Sequence, residues 1–218
     1  MTASIDDTGS IDFAALLCSR LCHDLLSAVG ALNNGLELMA DETDPEMRQR
    51  CLDLLSDSAR TSANKLKFFR LAFGSAGGYG DAVPSHEVRM AIEGMFSATG
   101  RVKLGWMVAD DQLPKRAAKI LLNLALIAGD ALVRGGQLDI GAERRGDLVE
   151  IVVRAEGPKL VLDPELRAAL AGTLAQDGLS ARTAAAWMTH TLVTGAGGEV
   201  MLSPPGEPML LFGASLSA

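Results

Sequence analysis

The sequence predicts an α+β fold in which an N-terminal antiparallel helical hairpin precedes a helix-covered sheet. In the first 73 of its 218 residues, apolar positions recur at the helical spacings of three and four, whereas later strand-like and helical runs alternate. Glycine-rich residues 74–80 separate the two patterns and are typical of a linker. We therefore predict a hairpin over 1–73, a linker over 74–84 and an α/β sandwich over 85–218.

The first helix is predicted to run from about Asp12 to Ala40. One face carries an apolar stripe that requires a partner helix. Its members are Ala14, Leu17, Leu21, Leu25, Ala28, Leu32, Leu36 and Met39. A second line along the helix is polar or small and consists of Arg20, His23, Ser27, Gly30, Asn34 and Glu37. His23 is therefore predicted to face water.

The second helix is predicted to begin at Pro45, because residues 41–44 break the first helix and proline suits an opening turn. So short a connection favours antiparallel packing. A lone hairpin leaves half of its apolar face in water, so two copies are expected to close a four-helix bundle as a homodimer. The alternative is that the C-terminal part of the same chain covers the stripe.

Beyond the linker the pattern is mixed. Predicted helices cover 85–96, with Ser85 as the cap, 114–133, a short segment opened by Asp163, and 180–193. Predicted strands cover 102–109, 137–142, 148–155, 199–203 and 208–214. Arg144–Asp147 is expected to form a hairpin turn.

Composition limits the classes of partner and compartment. A net charge of -7 and a pI near 5.0 disfavour nucleic acid, which requires a basic surface, so a protein partner is expected. No uninterrupted run approaches the roughly 20 apolar residues of a membrane span. Residues 1–10 contain Asp6 and Asp7 without a basic residue, unlike a signal peptide. The sequence thus predicts a cytoplasmic protein without a membrane partner.

The cysteines do not follow the spacing of a metal site. Cys18, Cys22 and Cys51 are the three cysteines, and neither His86 nor His190 is spaced to complete a ligand set. We therefore expect free buried thiols and no metal.

His23 is the candidate for phosphoryl chemistry. An ordinary imidazole has a pKa of about 6.5 and offers a neutral, nucleophilic nitrogen at neutral pH. Asp24 could fix its tautomer, and Arg20 could bind phosphoryl oxygens. Ser27 and Gly30 leave room for a partner, and glycine costs about 1 kcal/mol relative to alanine within a helix. The alternative is a solvated histidine and a tolerated glycine that share one face.

The string around His23 resembles known phosphorelay proteins. His23-Asp24-Leu25, followed by Ser27-Ala28-Val29-Gly30, resembles the H-box of sensor histidine kinases. The longer string Leu21–Leu38 is similar to the ChpT family of bacterial histidine phosphotransferases. The resemblance implies a multi-step phosphorelay in which phospho-His23 carries the group between receiver-domain aspartates. The implied partners are receiver domains of a hybrid histidine kinase and of response regulators, whose own Mg²⁺ assists transfer.

Receiver docking is expected to use small and apolar residues beside the histidine. The candidates are Leu26, Ser27, Gly30 and Ala31. For Leu26 the alternative is packing within the dimer. Ser27 could orient water for dephosphorylation or simply fill space.

The second domain resembles the ATP-binding domain of histidine kinases in a degenerate form. Asn123 matches the first Asn of their Asn-rich helix, but Gly129-Asp130 replaces the residues that follow. Arg154–Lys159 stands where an Asp-x-Gly-x-Gly loop is expected, and the glycine-rich lid is reduced to Gln176–Leu179.

The resemblance therefore implies no ATP binding and no cofactor. Asn123 is expected to be buried and bonded to backbone. The competing functions are an ATP-dependent sensor-type histidine kinase and a noncatalytic receiver-binding adaptor or phosphatase.

Overall fold

The structure is a computed structural model that describes residues 7–74, 80–96 and 100–217. It has mixed α+β architecture, with two long N-terminal helices followed by a sheet domain, as predicted. Residues 75–79, the centre of the predicted linker, lie outside the described residues.

The N-terminal helices α1 (Asp7–Asp41) and α2 (Pro45–Ala72) form the predicted hairpin. The side chain of Asp44 caps α2 by accepting a hydrogen bond from the Met47 amide at 2.9 Å. Gly35 lies against Leu55, where a Cβ would stand 2.9 Å from Cδ2. Asp24, eleven residues before Gly35, accepts a hydrogen bond from Lys65, ten residues after Leu55, so the two helices run antiparallel.

Among the described residues, seven strands and four further α-helices follow. They are β1 (Ala82–Pro84), α3 (Ser85–Phe96), β2 (Val102–Val108), β3 (Gln112–Pro114), α4 (Lys115–Ala131), β4 (Gly136–Arg145), β5 (Leu148–Glu156), α5 (Pro164–Leu170), α6 (Ala184–Thr194), β6 (Glu199–Leu202) and β7 (Met209–Ser217). The main sheet has the order β2-β4-β5-β7-β6, in which only the β2–β4 pair is parallel. Strands β1 and β3 form a separate antiparallel pair.

Several details differ from the sequence prediction. Helix α1 begins at Asp7 and not at about Asp12, and β4 ends at Arg145 and not at Ala142. The three-residue strands β1 and β3 were not expected, since so short a segment carries no alternating pattern. Ser85 does not cap α3; it is the first helical residue, and its hydroxyl donates to the Asp110 carbonyl. Helix α6 begins at Ala184, four residues later than predicted, because the Ser180 amide donates to Thr183 Oγ1 at 2.9 Å in a preceding turn.

One continuous hydrophobic core joins the end of the hairpin to the sheet domain. Its largest side chains with less than 2% exposure are Phe68, Phe69, Ile92, Leu113, Ile120, Leu121, Leu122, Leu124, Leu126, Leu138, Ile140 and Phe212. These residues come from α2, α3, β3, α4, β4 and β7. The last turns of α2 are thus buried against the sheet domain, and α1 is held beside it.

Helix α1 departs from expectation in its overall apolar character and in the exposure of two cysteines. Within the part of the chain that the structure describes, residues 9–41 are long and apolar enough to cross a membrane by length and composition, although no uninterrupted apolar run has that length. All three cysteines are free, but burial was wrongly predicted for Cys18 and Cys22, which are exposed. Cys51 is buried as expected.

Candidate phosphoacceptor site

His23 lies at the middle of α1, and its side chain is 84% exposed, so the prediction that it faces water is confirmed. Its Nδ1 lies 3.2 Å from Asp24 Oδ1. An ionised carboxylate only accepts hydrogen bonds, so Nδ1–H is the donor of this bond. In the neutral ring the lone pair then resides on Nε2, the nitrogen available for attack.

Asp24 is anchored by Arg20 and Lys65. Its Oδ2 accepts a hydrogen bond from Arg20 Nε at 2.7 Å, one helical turn away. Lys65 Nζ donates to the backbone carbonyl of Asp24 at 2.6 Å from α2. Only 14% of the Asp24 side chain is exposed, so the carboxylate has little freedom to leave His23.

Asp130 at the end of α4 extends this ion-pair network to the sheet domain. Arg20 Nη2 donates to Asp130 Oδ2 at 2.7 Å. Burial alone would lower the pKa of Arg20, but the adjacent charges of Asp130 and Asp24 outweigh it and raise that pKa. Burial raises the pKa of Asp130, and Arg20 opposes the rise. Since the Asp130 side chain is still 47% exposed and closely paired, we take it as ionised at neutral pH.

Sequence reasoning missed this role of Asp130, although a signal was present. Asp130 is the only acidic residue of α4 and lies in its last turn, where the helix dipole disfavours negative charge. Its neighbour Gly129 is explained by packing, because a Cβ there would overlap the Phe96 ring. The two residues that depart from the kinase-like pattern therefore both contact other helices: Gly129 packs against Phe96 of α3, and Asp130 binds Arg20 of α1.

A groove of about 490 Å³ runs beside His23. Its walls are formed by Ser19, Arg20, His23, Asp24, Asp130, Ala181 and Arg182. Arg182 lies just ahead of α6 and pairs with Asp163 at 2.7 Å, and 64% of its side chain is exposed. Both α1 and the sheet domain thus contribute walls to the groove beside the exposed imidazole. Arg182 is a groove residue that no sequence motif indicated.

The four predicted receiver-binding residues follow His23 along α1. Leu26 is 67% exposed, Ser27 is exposed, and Gly30 and Ala31 are partly buried. A Cβ added at Gly30 would meet no described atom within 4 Å. The surface that follows His23 along α1 is therefore open at Gly30.

Asn123 is a buried residue bonded to backbone, as expected. Its Nδ2 donates to the Lys119 carbonyl at 2.8 Å and to the Ala72 carbonyl at 3.3 Å. Its Oδ1 has no hydrogen-bond partner among the described residues. Asn123 therefore ties the last residue of α2 to α4.

Similarity to known proteins identifies the family. The model for the C-terminal domain of histidine phosphotransferases matches residues 85–208, more than half of the chain. The chain belongs to the histidine phosphotransferase family. It is 31% identical, over 92% of its own length and 94% of the relative's, to the protein phosphotransferase ChpT of Brucella abortus (strain 2308).

A solved phosphotransferase structure agrees with this assignment. A bacterial phosphotransferase superposes with a TM-score of 0.82 and 30% identity, with 98% of each chain covered. The nucleotide-free catalytic domain of the histidine kinase ThkA gives a TM-score of 0.46 and 16% identity over 62% of this chain and 93% of that one. As a family member, the protein is a histidine phosphotransferase of phosphorelay signalling, and the family relation indicates a soluble protein.

Proposed function

We propose that this histidine phosphotransferase carries the phosphoryl group on His23 and relays it between receiver-domain aspartates in the cytoplasm, without binding ATP. The observation that carries the proposal is the His23–Asp24 pair, in which an imidazole 84% exposed has its Nδ1 held by a fixed carboxylate. This arrangement aims a nucleophilic Nε2 outward on a rigid helix, where a partner's phosphoaspartate can reach it in line.

The transfer is a substitution at phosphorus. Nε2 of His23 forms the N–P bond while the bond between phosphorus and the receiver's aspartyl oxygen breaks, and that aspartate departs as a carboxylate. The Nδ1 proton stays on the ring, where Asp24 accepts its hydrogen bond and stabilises the positive charge that develops. Arg20 has N–H groups beyond those given to carboxylates, and they can face phosphoryl oxygens. The Mg²⁺ expected on the receiver would supply charge neutralisation for the transferring group. A second receiver aspartate reverses these steps.

Mapping the label tests the proposal. The protein is incubated with a ³²P-labelled phosphoreceiver, and in parallel with labelled ATP alone, and the modified residue is located by mass spectrometry. We expect acid-labile label on His23 only when the donor receiver is present. Label from ATP alone would identify a kinase, and receiver binding without any label would identify an adaptor or phosphatase; either result contradicts the proposal.

We expect receiver docking on Leu26, Ser27, Gly30 and Ala31. Two substitutions at Gly30 should then separate the stability of the helix from its affinity for a receiver. Gly30→Ala adds only a methyl group into open space and should raise the free energy of unfolding by up to about 1 kcal/mol through helix propensity. Gly30→Trp should retain the fold yet weaken receiver binding about tenfold or more, because a bulky ring then stands on the docking surface. Calorimetric titration with a receiver and thermal melts separate the two quantities. Unchanged receiver affinity in Gly30→Trp would contradict docking at this position.

The homodimer is proposed from the apolar surface that the hairpin leaves open. Leu36 is 58% exposed and Val29 43%, seven residues apart on one face of α1. An open groove between the helices is lined by Ala14, Leu17, Cys18, Leu21, Leu66, Phe69, Arg70, Phe73 and Gly74. A second copy would cover this surface as a four-helix bundle.

Light scattering after size exclusion measures the assembly. We expect twice the chain mass of 22.8 kDa at micromolar concentration, because the exposed leucine and valine positions gain free energy when they leave water. Leu36→Glu should shift the mass toward the monomer, while Leu38→Glu, 62% exposed on another face of α1, serves as the control. A monomeric wild-type protein would refute the bundle.

A further inference from the structure

We infer that Asp130 is a positioning residue for phosphoryl transfer, acting on His23 through Arg20 and Asp24. The inference rests on the proposed role of His23. By this inference the sheet domain helps to orient the phosphoacceptor His23, in addition to forming one wall of the groove.

The geometry is a chain of charge-assisted contacts from α4 to the imidazole. Asp130 Oδ2 accepts from Arg20 Nη2 at 2.7 Å, and Arg20 Nε donates to Asp24 Oδ2 at 2.7 Å. Asp24 Oδ1 in turn lies 3.2 Å from His23 Nδ1. The two oxygens of Asp24 are therefore divided between Arg20 and His23, and the direction of one bond constrains the other.

Arg20 needs a second anchor to hold this arrangement. A guanidinium on a flexible stem can rotate about its terminal bonds, whereas one bound to two carboxylates through different nitrogens is fixed in plane. Only 15% of the Arg20 side chain is exposed, and among the described residues Asp130 is its ion-pair partner from outside α1. With Asp130 present, the Oδ1 atom of Asp24 stays directed at Nδ1.

The charges around His23 support a role in selecting its tautomer. Asp24 and Arg20 come from α1, Lys65 from α2, Asp130 from α4, and Arg182 from the segment ahead of α6. Asp130 offsets the charge of Arg20, so Asp24 keeps its strength as an acceptor. Without Asp130, the uncompensated guanidinium draws Asp24 toward itself, weakening the bond that keeps the proton on Nδ1.

The position of Asp130 also argues against an incidental surface contact. An acidic group in the last turn of a helix opposes the helix dipole, and this one is partly desolvated as well. Phe96 packs where a Cβ of Gly129 would stand, which fixes the end of α4. The carboxylate is thus presented to Arg20 from a rigid helix.

The test combines transfer kinetics with the tautomer of His23 in the free protein. Asp130→Asn should slow transfer from a phosphoreceiver about tenfold and move the ¹⁵N shifts of His23 away from the Nδ1–H tautomer. Asp130→Glu should recover most of the rate. Asp57→Asn removes a carboxylate paired with Arg60 at 2.7 Å on α2 and should change neither quantity. If Asp130 acts through Arg20, the double variant with Arg20→Ala should be no slower than Arg20→Ala alone.

The outcomes separate this inference from the proposed function. A wild-type rate and wild-type tautomer in Asp130→Asn would overturn it, and so would a slower rate with an unchanged tautomer, which would mark Asp130 as a receiver contact. The tautomer is read without any receiver. A failure of His23 to accept phosphate would therefore leave the positioning measurement intact while removing the proposed function.

Discussion

Replacing His23 with alanine should reduce phosphoryl uptake from a labelled receiver at least about a thousandfold. The imidazole Nε2 is the nucleophile in the proposed reaction, and among the described residues beside it Asp24 and Arg20 are a carboxylate and a guanidinium that cannot take over its role. Initial rates of label transfer at fixed receiver concentration measure the effect. Receiver affinity should remain nearly unchanged, because docking rests on the neighbouring surface of α1.

His86→Ala is the matched control. This histidine is also largely exposed, with 70% of its side chain accessible, but it belongs to α3 and does not line the groove beside His23. We expect wild-type transfer in this variant. Transfer that survives the loss of His23, or that falls equally in both variants, would contradict the assignment of the phosphoacceptor.

The sequence predicted what depends on local patterning. Helical periodicity and the break over residues 41–44 before Pro45 identified α1 and α2. The hairpin turn predicted over Arg144–Asp147 is shorter in the structure, because β4 continues through Arg145, which pairs with Leu148. The order of the strands and the short β1–β3 pair were not predictable in this way. They depend on contacts between residues far apart in the chain, for which a single sequence has no periodic signal.

The same division applies to the candidate site. His23, Asp24 and Arg20 are neighbours on one helix, so spacing alone brought them together. Lys65 and Asp130 reach the cluster from other helices, and the distance of 2.7 Å between Arg20 and Asp130 spans 110 positions of sequence. The departure of Asp130 from the kinase-like pattern indicated loss of a nucleotide motif, but only the structure shows that the residue contacts Arg20.

Asn123→Asp should lower the free energy of unfolding by about 3 kcal/mol or more at neutral pH. The side chain is completely buried, and its amide donates to the carbonyls of Lys119 and Ala72. A carboxylate of the same shape would place negative charge against both acceptors and would leave the last residue of α2 without its side-chain donor. The expected loss is large because it combines desolvation, repulsion and two missing hydrogen bonds.

The destabilisation should depend on pH with a defined sign. Burial raises the folded-state pKa of the introduced carboxyl above its unfolded value. The loss of unfolding free energy should therefore be greatest at pH values above the folded-state pKa. It should diminish as the pH falls toward about 4, where the protonated group can donate to one carbonyl again. Urea unfolding of variant and wild type at matched pH values measures the difference, and Asn33→Asp on the exposed side of α1 should change stability little.

Asn123 and the shared core join α2 to the sheet domain. The loss of stability in Asn123→Asp should therefore affect the hairpin and the sheet domain together. Both wild type and Asn123→Asp should unfold in one transition, detected alike by helical circular dichroism and by fluorescence of Trp106 and Trp187. If the sheet domain of the variant kept wild-type stability while only α2 melted, the hairpin and the sheet domain would unfold independently of each other. The position of His23 relative to Asp130 would then no longer be set by the fold, and the positioning role of Asp130 would fail with it.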